Sequence, residues 1–266
     1  MQPMSCRLCG SQDLYLFYTE GTEIKYRYYR CRRCRLVNYD LSGGLDQTQY
    51  SSVYVSPKDE AHKINKIQSQ TYACLKQYRS DPGKMLDIGC YNARILYLAQ
   101  KDGWHVKGID LSPRIAQRVK EDVGIDIEVV DFLEYPLDER SAYDVVMMRH
   151  VLEHIPDPIA VLGKIKLLLR ADGLGVLEFP NIDGYSKKYR RFLKKVGLHR
   201  RKAPPQQRPG HCNEFCRESF SYLLKVTGFE LVDWHTYSSR PFPDWFYRKF
   251  NVGNKARAII RKSDDV

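Results

Sequence analysis

The chain has 266 residues, 43% of them apolar and 28% charged, enough to bury a sizeable core beneath an ordinary water-facing surface. No apolar run of about 18 residues argues for a membrane span, and the opening MQPMSCRLCG lacks the apolar stretch of a secretory leader, so a cytoplasmic setting with reduced thiols is expected. The net charge of +11 is segregated: residues 184–213 hold ten Lys/Arg and no Asp/Glu, residues 1–40 carry +3 and residues 240–266 carry +4. The rest is mildly acidic, and a field divided in this way points to an anionic partner.

Cys6-x-x-Cys9 and Cys31-x-x-Cys34 are separated by 21 residues that alternate and are rich in Tyr. This reads as a β-hairpin turning near residues 20–22, which would gather Cys6, Cys9, Cys31 and Cys34 around a structural zinc ion. So small a segment needs metal to fold well. Residues 1–40 are thus expected to be a zinc ribbon, and residues 41–83 a connecting segment. Its helix places Ile64, Ile67, Tyr72, Leu75 and Tyr78 near one face, for packing on the main domain. Asp81-Pro82-Gly83 then breaks the chain.

Residues 84–266 alternate strand and helix. Strand KMLDIG precedes a helix over about 93–102. Strand WHVKGIDL precedes a helix over about 113–122, with Ser112 as N-cap and Pro113 in its first turn. DIEVVD and YDVVMMR are strands; a helix over about 158–169 follows Asp157, then a turn and the strand of ADGLGVLEFP. CRESFSYLLKVTGFELVDWHTY is a helix, a Gly stop and a long strand, and KARAIIRK is a last strand. This predicts an α/β fold: a Rossmann-like, mostly parallel seven-stranded sheet with helices on both faces, beside the small ribbon. Ligands of such sheets bind beyond the carboxyl ends of the strands where the strand order switches. That rule selects residues 87–93, Asp110, Asp131 and residues 148–154.

LDIGCYNARIL begins like a dinucleotide turn, but Tyr91 and Ala93 stand where further glycines would let a pyrophosphate approach. A phosphate-free ligand with an amino-acid tail and one nucleoside fits better, and S-adenosylmethionine is such a ligand. A carboxylate near Asp87 suits its ammonium, Gly89 admits close backbone approach, Asp110 suits the ribose hydroxyls and Asp131 the adenine amine. Each acid alone is equally well read as a turn former or N-cap.

With these residues in view, the sequence resembles the class I S-adenosylmethionine-dependent methyltransferases. LDIGCYNARIL, GIDLS, VVDFLEYP, YDVVMMRHVLEHIPDP and LRADGLGVLEFPN look like five successive motifs of that family, over roughly residues 84–262. The resemblance implies a cofactor site drawn from Asp87, Gly89, Cys90, Tyr91, Asp110, Leu111, Asp131, Phe132 and Arg149. Ala93 departs from the family's usual Gly. The ribbon is similar to that of methyltransferases acting on glycans and natural products, which implies a small-molecule or glycan acceptor, anionic or nucleotide-linked.

His150, His154 and His211 are the candidate general bases, because an imidazole near the methyl group can take a proton from an attacking hydroxyl. Bracing of loops is the plain alternative for each. HVLEH also matches an inverted zinc-peptidase pattern, but Ile155-Pro156-Asp157-Pro158 ends the long helix such a site requires. His211, Cys212 and Cys216 leave open a second metal, with buried single thiols as the simpler reading.

Residues 184–210 form a basic lid insert. Tyr185, Tyr189, Phe192, Leu193 and Val196 share one helical face, with Lys and Arg on the other, and APPQQRPG follows as a stiff tether. The stretch 185–202 suits an anionic acceptor, or an anionic membrane touched peripherally at its inner face. An RNA backbone is the runner-up, with Tyr26, Tyr28 and Tyr29 of the ribbon as base-stacking candidates. Otherwise the apolar stripe docks on the domain. A non-catalytic module with a decayed cofactor site is the third reading.

Overall fold

The computed structural model describes residues 4–21, 25–46, 54–137, 142–198, 209–238 and 243–263. The hairpin forms as predicted: β1 (Leu14–Glu20) pairs antiparallel with β2 (Tyr26–Cys31), with Leu14 opposite Cys31 and a bulge between Leu16 and Tyr18. Thr22, at the end of the predicted turn, lies outside the described residues. A third strand, β3 (Val37–Tyr39), returns along β2. The connecting helix α1 (Lys63–Leu75) starts at His62, whose side chain accepts from Ile64 N.

From there the alternation holds. β4 (Lys84–Ile88), α2 (Arg94–Lys101), β5 (His105–Asp110), α3 (Pro113–Val123) and β6 (Ile127–Val129) follow in order. Ser112 caps α3 by accepting from Ile115 N, as its sequence predicts. β6 is shorter than the predicted DIEVVD, because the Asp131 carboxylate accepts from Leu133 N at 2.8 Å and turns the chain. Next come β7 (Tyr143–Arg149), α4 (Pro158–Leu168), capped by Asp157, and β8 (Leu169–Pro180). The basic insert supplies α5 (Tyr185–Lys195); its residues 199–208, including all of the predicted tether but Pro209 and Gly210, lie outside the described residues. β9 (Asn213–Glu214), α6 (Arg217–Thr227), β10 (Phe229–Tyr237), α7 (Asp244–Phe250) and β11 (Lys255–Lys262) complete the order. The sequence did not announce β3, β9 or α7.

The main sheet has seven strands in the order β10-β11-β8-β7-β4-β5-β6. β11 runs antiparallel to both neighbours, and β4 through β8 pair in parallel. Parallel strands buried on both faces explain the unbroken apolar runs of β4 and β7, whose Met85, Leu86, Val145 and Met147 have no exposed surface. The small sheet is ordered β1-β2-β3-β9, so its edge strand comes from a segment more than 170 residues downstream. Cys6, Leu8, Cys31, Cys34 and Leu36 share one apolar cluster with Ile88, Phe179 and Phe220 of the main domain. The ribbon is therefore sewn onto the larger body by both hydrogen bonds and packing.

α1 departs from its apolar stripe. Tyr72 and Leu75 are buried as expected, but Ile64 and Tyr78 are exposed, and Asn65, Gln68 and Thr71 are buried. The polar residues have partners that only the fold supplies. Asn65 donates to Ser56 O and Asp59 O and accepts from Asn92, while Thr71 donates to the Glu178 carboxylate at 2.8 Å.

Candidate active site

The strand order switches at β4, whose neighbours β5 and β7 lead to opposite edges of the sheet. The turn that follows β4 is tight. Gly89 and Cys90 both donate to Ile109 O, at 2.8 and 3.2 Å. Gly89 (φ 68°), Tyr91 (φ 50°) and Ala93 (φ 55°) all occupy the left-handed region. A Cβ at residue 89 would lie 2.3 Å from Val151 Cγ2, so this glycine is needed both for its conformation and for the closeness of the next loop. Ala93 takes up the left-handed φ at a cost of about 1 kcal/mol and initiates α2 without a side-chain cap. Strain of this kind, repeated within five residues, is characteristic of a ligand clamp.

Asp110 ends β5 beside this turn. One carboxylate oxygen accepts from Tyr91 N at 2.9 Å and the other from Ser112 N at 3.0 Å. Both oxygens keep a lone pair for hydroxyl donors. The carboxylate, the turn, α1 and the ends of β7 and β8 surround a cleft of about 380 Å³. Five predicted residues line it: Gly89, Tyr91, Asp110, Arg149 and His150. Val151, within the selected residues 148–154, lines it too, and Ile64, Ile67, Gln68, Ser112, Ile115, Glu178 and Lys255 also line it and were not predicted as site residues. Gln68 and Lys255 lie outside the five motifs, and Glu178 lies within LRADGLGVLEFPN, which does not single it out; each is brought in by a different element.

Charge is concentrated here. Asp87 has no exposed surface, and neither oxygen has a hydrogen-bond partner among the described residues. Burial pushes its carboxyl up to about 6, opposed by the Arg149 charge. Glu178 is also buried. Burial raises its carboxyl, but Arg257 and Arg149 more than compensate and hold it below the usual range. Arg257 Nε donates to Glu178 at 2.5 Å, and the second Glu178 oxygen, Gln68 Oε1 and Arg149 Nε remain without partners among the described residues. Burial pushes the Lys255 ammonium down.

The other predicted residues sit elsewhere. Cys90 is buried beneath the turn, close to the α-carbon of Gly108. Leu111 is exposed beyond β5, and Asp131 is an exposed turn former. Phe132 is buried in the main core. His150 has φ 56°, and its Nδ1 lies 3.3 Å from Glu153 Oε1. His154 Nδ1 donates to Gly210 O at 2.8 Å, which assigns its proton to that nitrogen. The rings of His154 and His211 meet edge to face with centroids 4.7 Å apart, and His211 Nε2 is 4.0 Å from Glu153 Oε1. Burial lowers the His211 imidazole. The fold thus gathers all three histidines around Glu153. Burial raises that carboxyl, yet the hydrogen bond from His150 and the three histidine charges hold it low. Of the three, His150 lines the cleft.

The four N-terminal cysteines bring their sulfur atoms within 4.8 Å of one another, with Cys6–Cys34 at 3.4 Å and Cys9–Cys31 at 3.5 Å. Their two knuckles close alike: Gly10 N donates to Cys6 O, Arg35 N to Cys31 O, and both residues are left-handed. The donor set and compactness fit a closed tetrahedral zinc site. His211, Cys212 and Cys216 do not gather in the same way. Cys212 Sγ contacts Glu153 O and Cys216 Sγ contacts Ser219 and Arg30. Buried single thiols describe them.

On α5, Tyr185, Tyr189 and Phe192 are half or more exposed, so these residues of the stripe face outward and the plain alternative, docking on the domain, does not describe them. Tyr26 and Tyr28 are buried instead, with Tyr28 packed on Tyr18 and Tyr39. Among the described residues, no helix is long and apolar enough to cross a membrane.

The profile of a family described as "Methyltransferase domain" matches residues 60–233. A ubiquinone biosynthesis O-methyltransferase of Actinobacillus pleuropneumoniae serotype 7 is 31% identical over 115 residues, covering 40% of this chain and 48% of that protein. The chain thus spans about half the length of the curated relatives it matches. A solved Burkholderia thailandensis 1,6-didemethyltoxoflavin-N1-methyltransferase, with 1,6-didemethyltoxoflavin and S-adenosylhomocysteine bound, superposes with a TM-score of 0.52 at 20% identity, covering 77% of this chain and 80% of that one. An Archaeoglobus fulgidus SAM-dependent methyltransferase gives 0.52 at 20% identity, covering 74% and 94%. These likenesses match the class I fold. The matched residues run from just before the helix that walls the cleft into the sheet's edge strand, and on that ground the chain belongs to the methyltransferase-domain family.

Proposed function

We propose that the protein transfers a methyl group from S-adenosylmethionine to a small-molecule acceptor, with an anionic or glycan acceptor as the finer expectation. The observation that carries this reading is the Asp110 carboxylate, held by two backbone N–H groups beside a turn in which Tyr91 occupies the approach a pyrophosphate would need. Asp110 would accept from the ribose hydroxyls. Asp87 would set a negative field under the ammonium, and Arg149 would face the carboxylate of the amino-acid tail. S-adenosylmethionine, when bound, supplies a methyl group already activated on a sulfonium, so positioning does most of the chemical work. His150, backed by Glu153, is the base best placed to take a proton from an acceptor hydroxyl, with His211 and His154 behind it. Leu111 and Asp131 remain candidate rim and adenine-side residues that the family resemblance implies, and Cys90 and Phe132 would back the site from their buried positions.

A small-molecule acceptor is supported by the relatives' names, which refer to ubiquinone biosynthesis and 1,6-didemethyltoxoflavin. Arg149 and Lys255 in the cleft support an anionic one. The RNA reading loses two of its three stacking candidates, since Tyr26 and Tyr28 are spent on hairpin packing and only the half-buried Tyr29 remains. We further assign Cys6, Cys9, Cys31 and Cys34 to a structural zinc ion, residues 1–40 to a ribbon and residues 84–266 to the methyltransferase domain. The outward stripe of α5 would touch an anionic membrane surface from the cytoplasmic side.

The test uses methyl-labelled S-adenosylmethionine with zinc-replete protein, offered total RNA, a nucleotide-sugar extract and a lipid-linked glycan fraction. Label is expected in the sugar or lipid fraction. Label in RNA alone overturns the acceptor class. Calorimetry that shows uptake of a dinucleotide, and of neither S-adenosylmethionine nor S-adenosylhomocysteine, overturns the donor.

A further inference from the structure

We infer that Arg7, which sits between the first two cysteines, is a positioning residue for the wall that carries His211, so that the state of the four-cysteine site sets the order of that wall. The inference rests on the proposed reading of the His150–His211 cluster as the acceptor side.

The geometry is dense. Arg7 N donates to Asn38 Oδ1 at 3.0 Å, which fixes its backbone against β3. Its guanidinium then spans three acceptors: Nε donates to Asn213 Oδ1 at 3.0 Å, Nη1 to Tyr39 O at 3.0 Å, and Nη2 to Cys212 O. Cys212 and Asn213 have no exposed surface. They are the two residues after His211, and they tie directly to the candidate base loop. Cys212 N donates to Glu153 O at 2.9 Å, and Asn213 Nδ2 donates to Ile155 O at 2.8 Å. Tyr39 N also donates to Cys212 O at 3.0 Å.

A two-residue strand such as β9 cannot hold itself. Its ladder is formed with β3, and its far side leans on the 152–156 loop. The ribbon reinforces the same wall at other points. Tyr18 donates to Glu214 at 2.6 Å, and Arg30 of β2 pairs with Asp183, just beyond β8, at 2.9 Å. The cofactor-side turn is built differently, on β5 and on the polar face of α1, through Ile109 O, Asp110 and the Asn65–Asn92 bond. Through the hydrogen bonds and ion pairs named here, the ribbon therefore props one wall of the cleft and not the other. Opening of the knuckle would release Arg7 from its three acceptors while the donor-binding turn keeps its support.

The experiment is amide hydrogen exchange with mass spectrometry on the full chain. It compares zinc-loaded wild type, zinc-loaded Arg7→Met and wild type stripped by a chelator, each also titrated with S-adenosylhomocysteine by calorimetry. Arg7→Met is expected to speed exchange across residues 209–216 and 150–156 by about tenfold or more, with zinc content retained and the dissociation constant for S-adenosylhomocysteine changed less than about twofold. Metal stripping is expected to open the same two segments, and it decides the matter if Arg7→Met does not fold. Unchanged exchange at 209–216 in either arm overturns the inference. So does a loss of S-adenosylhomocysteine binding in parallel with general opening, which would make the ribbon a plain stability element. Wild type that binds no S-adenosylhomocysteine refutes the proposed function instead, and the exchange data still judge Arg7.

Discussion

Asp87 lies buried under the turn it introduces, with both oxygens unpartnered among the described residues and its carboxyl raised from 3.8 to about 6. The folded protein binds that proton more tightly than the unfolded chain does. Its contribution to the stability of the ligand-free protein therefore falls as pH rises from about 4 to 6, and above that costs roughly 3 kcal/mol. Asp87→Asn is expected to stabilise the ligand-free protein by about 1–3 kcal/mol at pH 7.5, with the gain shrinking at pH 5. Denaturant titration at the two pH values checks this, and an equal or larger gain at pH 5 contradicts it. The same substitution should weaken the cationic S-adenosylmethionine. Asp110 has the opposite character: satisfied, fixed and facing the cleft. Asp110→Ala should reduce affinity for S-adenosylhomocysteine by about 2 kcal/mol, roughly 30-fold, as read by calorimetry, and should also lower the melting temperature, since Tyr91 N and Ser112 N lose their acceptor. An affinity within threefold of wild type would remove the observation on which the proposed function rests.

At the scale of elements, α5 and α1 show opposite failures of the same rule. The helical spacing of Tyr185, Tyr189 and Phe192 was legible, but a stripe does not say whether it packs inward or outward, and here it faces out. The double variant Tyr189→Ser, Phe192→Ser should therefore change stability by less than about 0.5 kcal/mol while weakening sedimentation with anionic lipid vesicles. A loss of 2 kcal/mol or more would mean the stripe is packed after all. On α1, the periodicity marked Ile64 as core, whereas the fold buries Asn65, Gln68 and Thr71. Polar residues can fill a buried face when another element brings partners to each of them, and those partners lie 27 and 107 residues away in sequence for Asn65 and Thr71.

Across the whole molecule, Glu178 of β8, Arg257 of β11 and Thr71 of α1 close one buried network at the floor of the cleft. Arg257→Met leaves the Glu178 carboxylate without its main counter-charge and should cost about 3–5 kcal/mol. Chemical denaturation of that variant beside Arg257→Met with Glu178→Gln checks the pairing. The double variant should recover part of the loss, and strict additivity would show the two groups to be independent. The network also explains why the last strand matters to the site: β11 enters antiparallel, so its first residue, Lys255, lands at the carboxyl end of the sheet opposite Pro180.

The sequence by itself determined the alternation of strands and helices, the seven-stranded sheet, the two cysteine knuckles and the strand-ending acids, because each depends on local spacing or on a period along a few residues. Strand ends at a switch point are readable from order alone, and five of the residues named there, Gly89, Tyr91, Asp110, Arg149 and His150, line the cleft. Only the tertiary structure decided that Gln68, Glu178 and Lys255 share the cleft, that Glu153 gathers three histidines, and that the ribbon's sheet is completed by Asn213 and Glu214. Those facts depend on contacts between residues far apart in the chain, whose partners are fixed by the packing of sheets and helices and leave no mark on the neighbouring sequence.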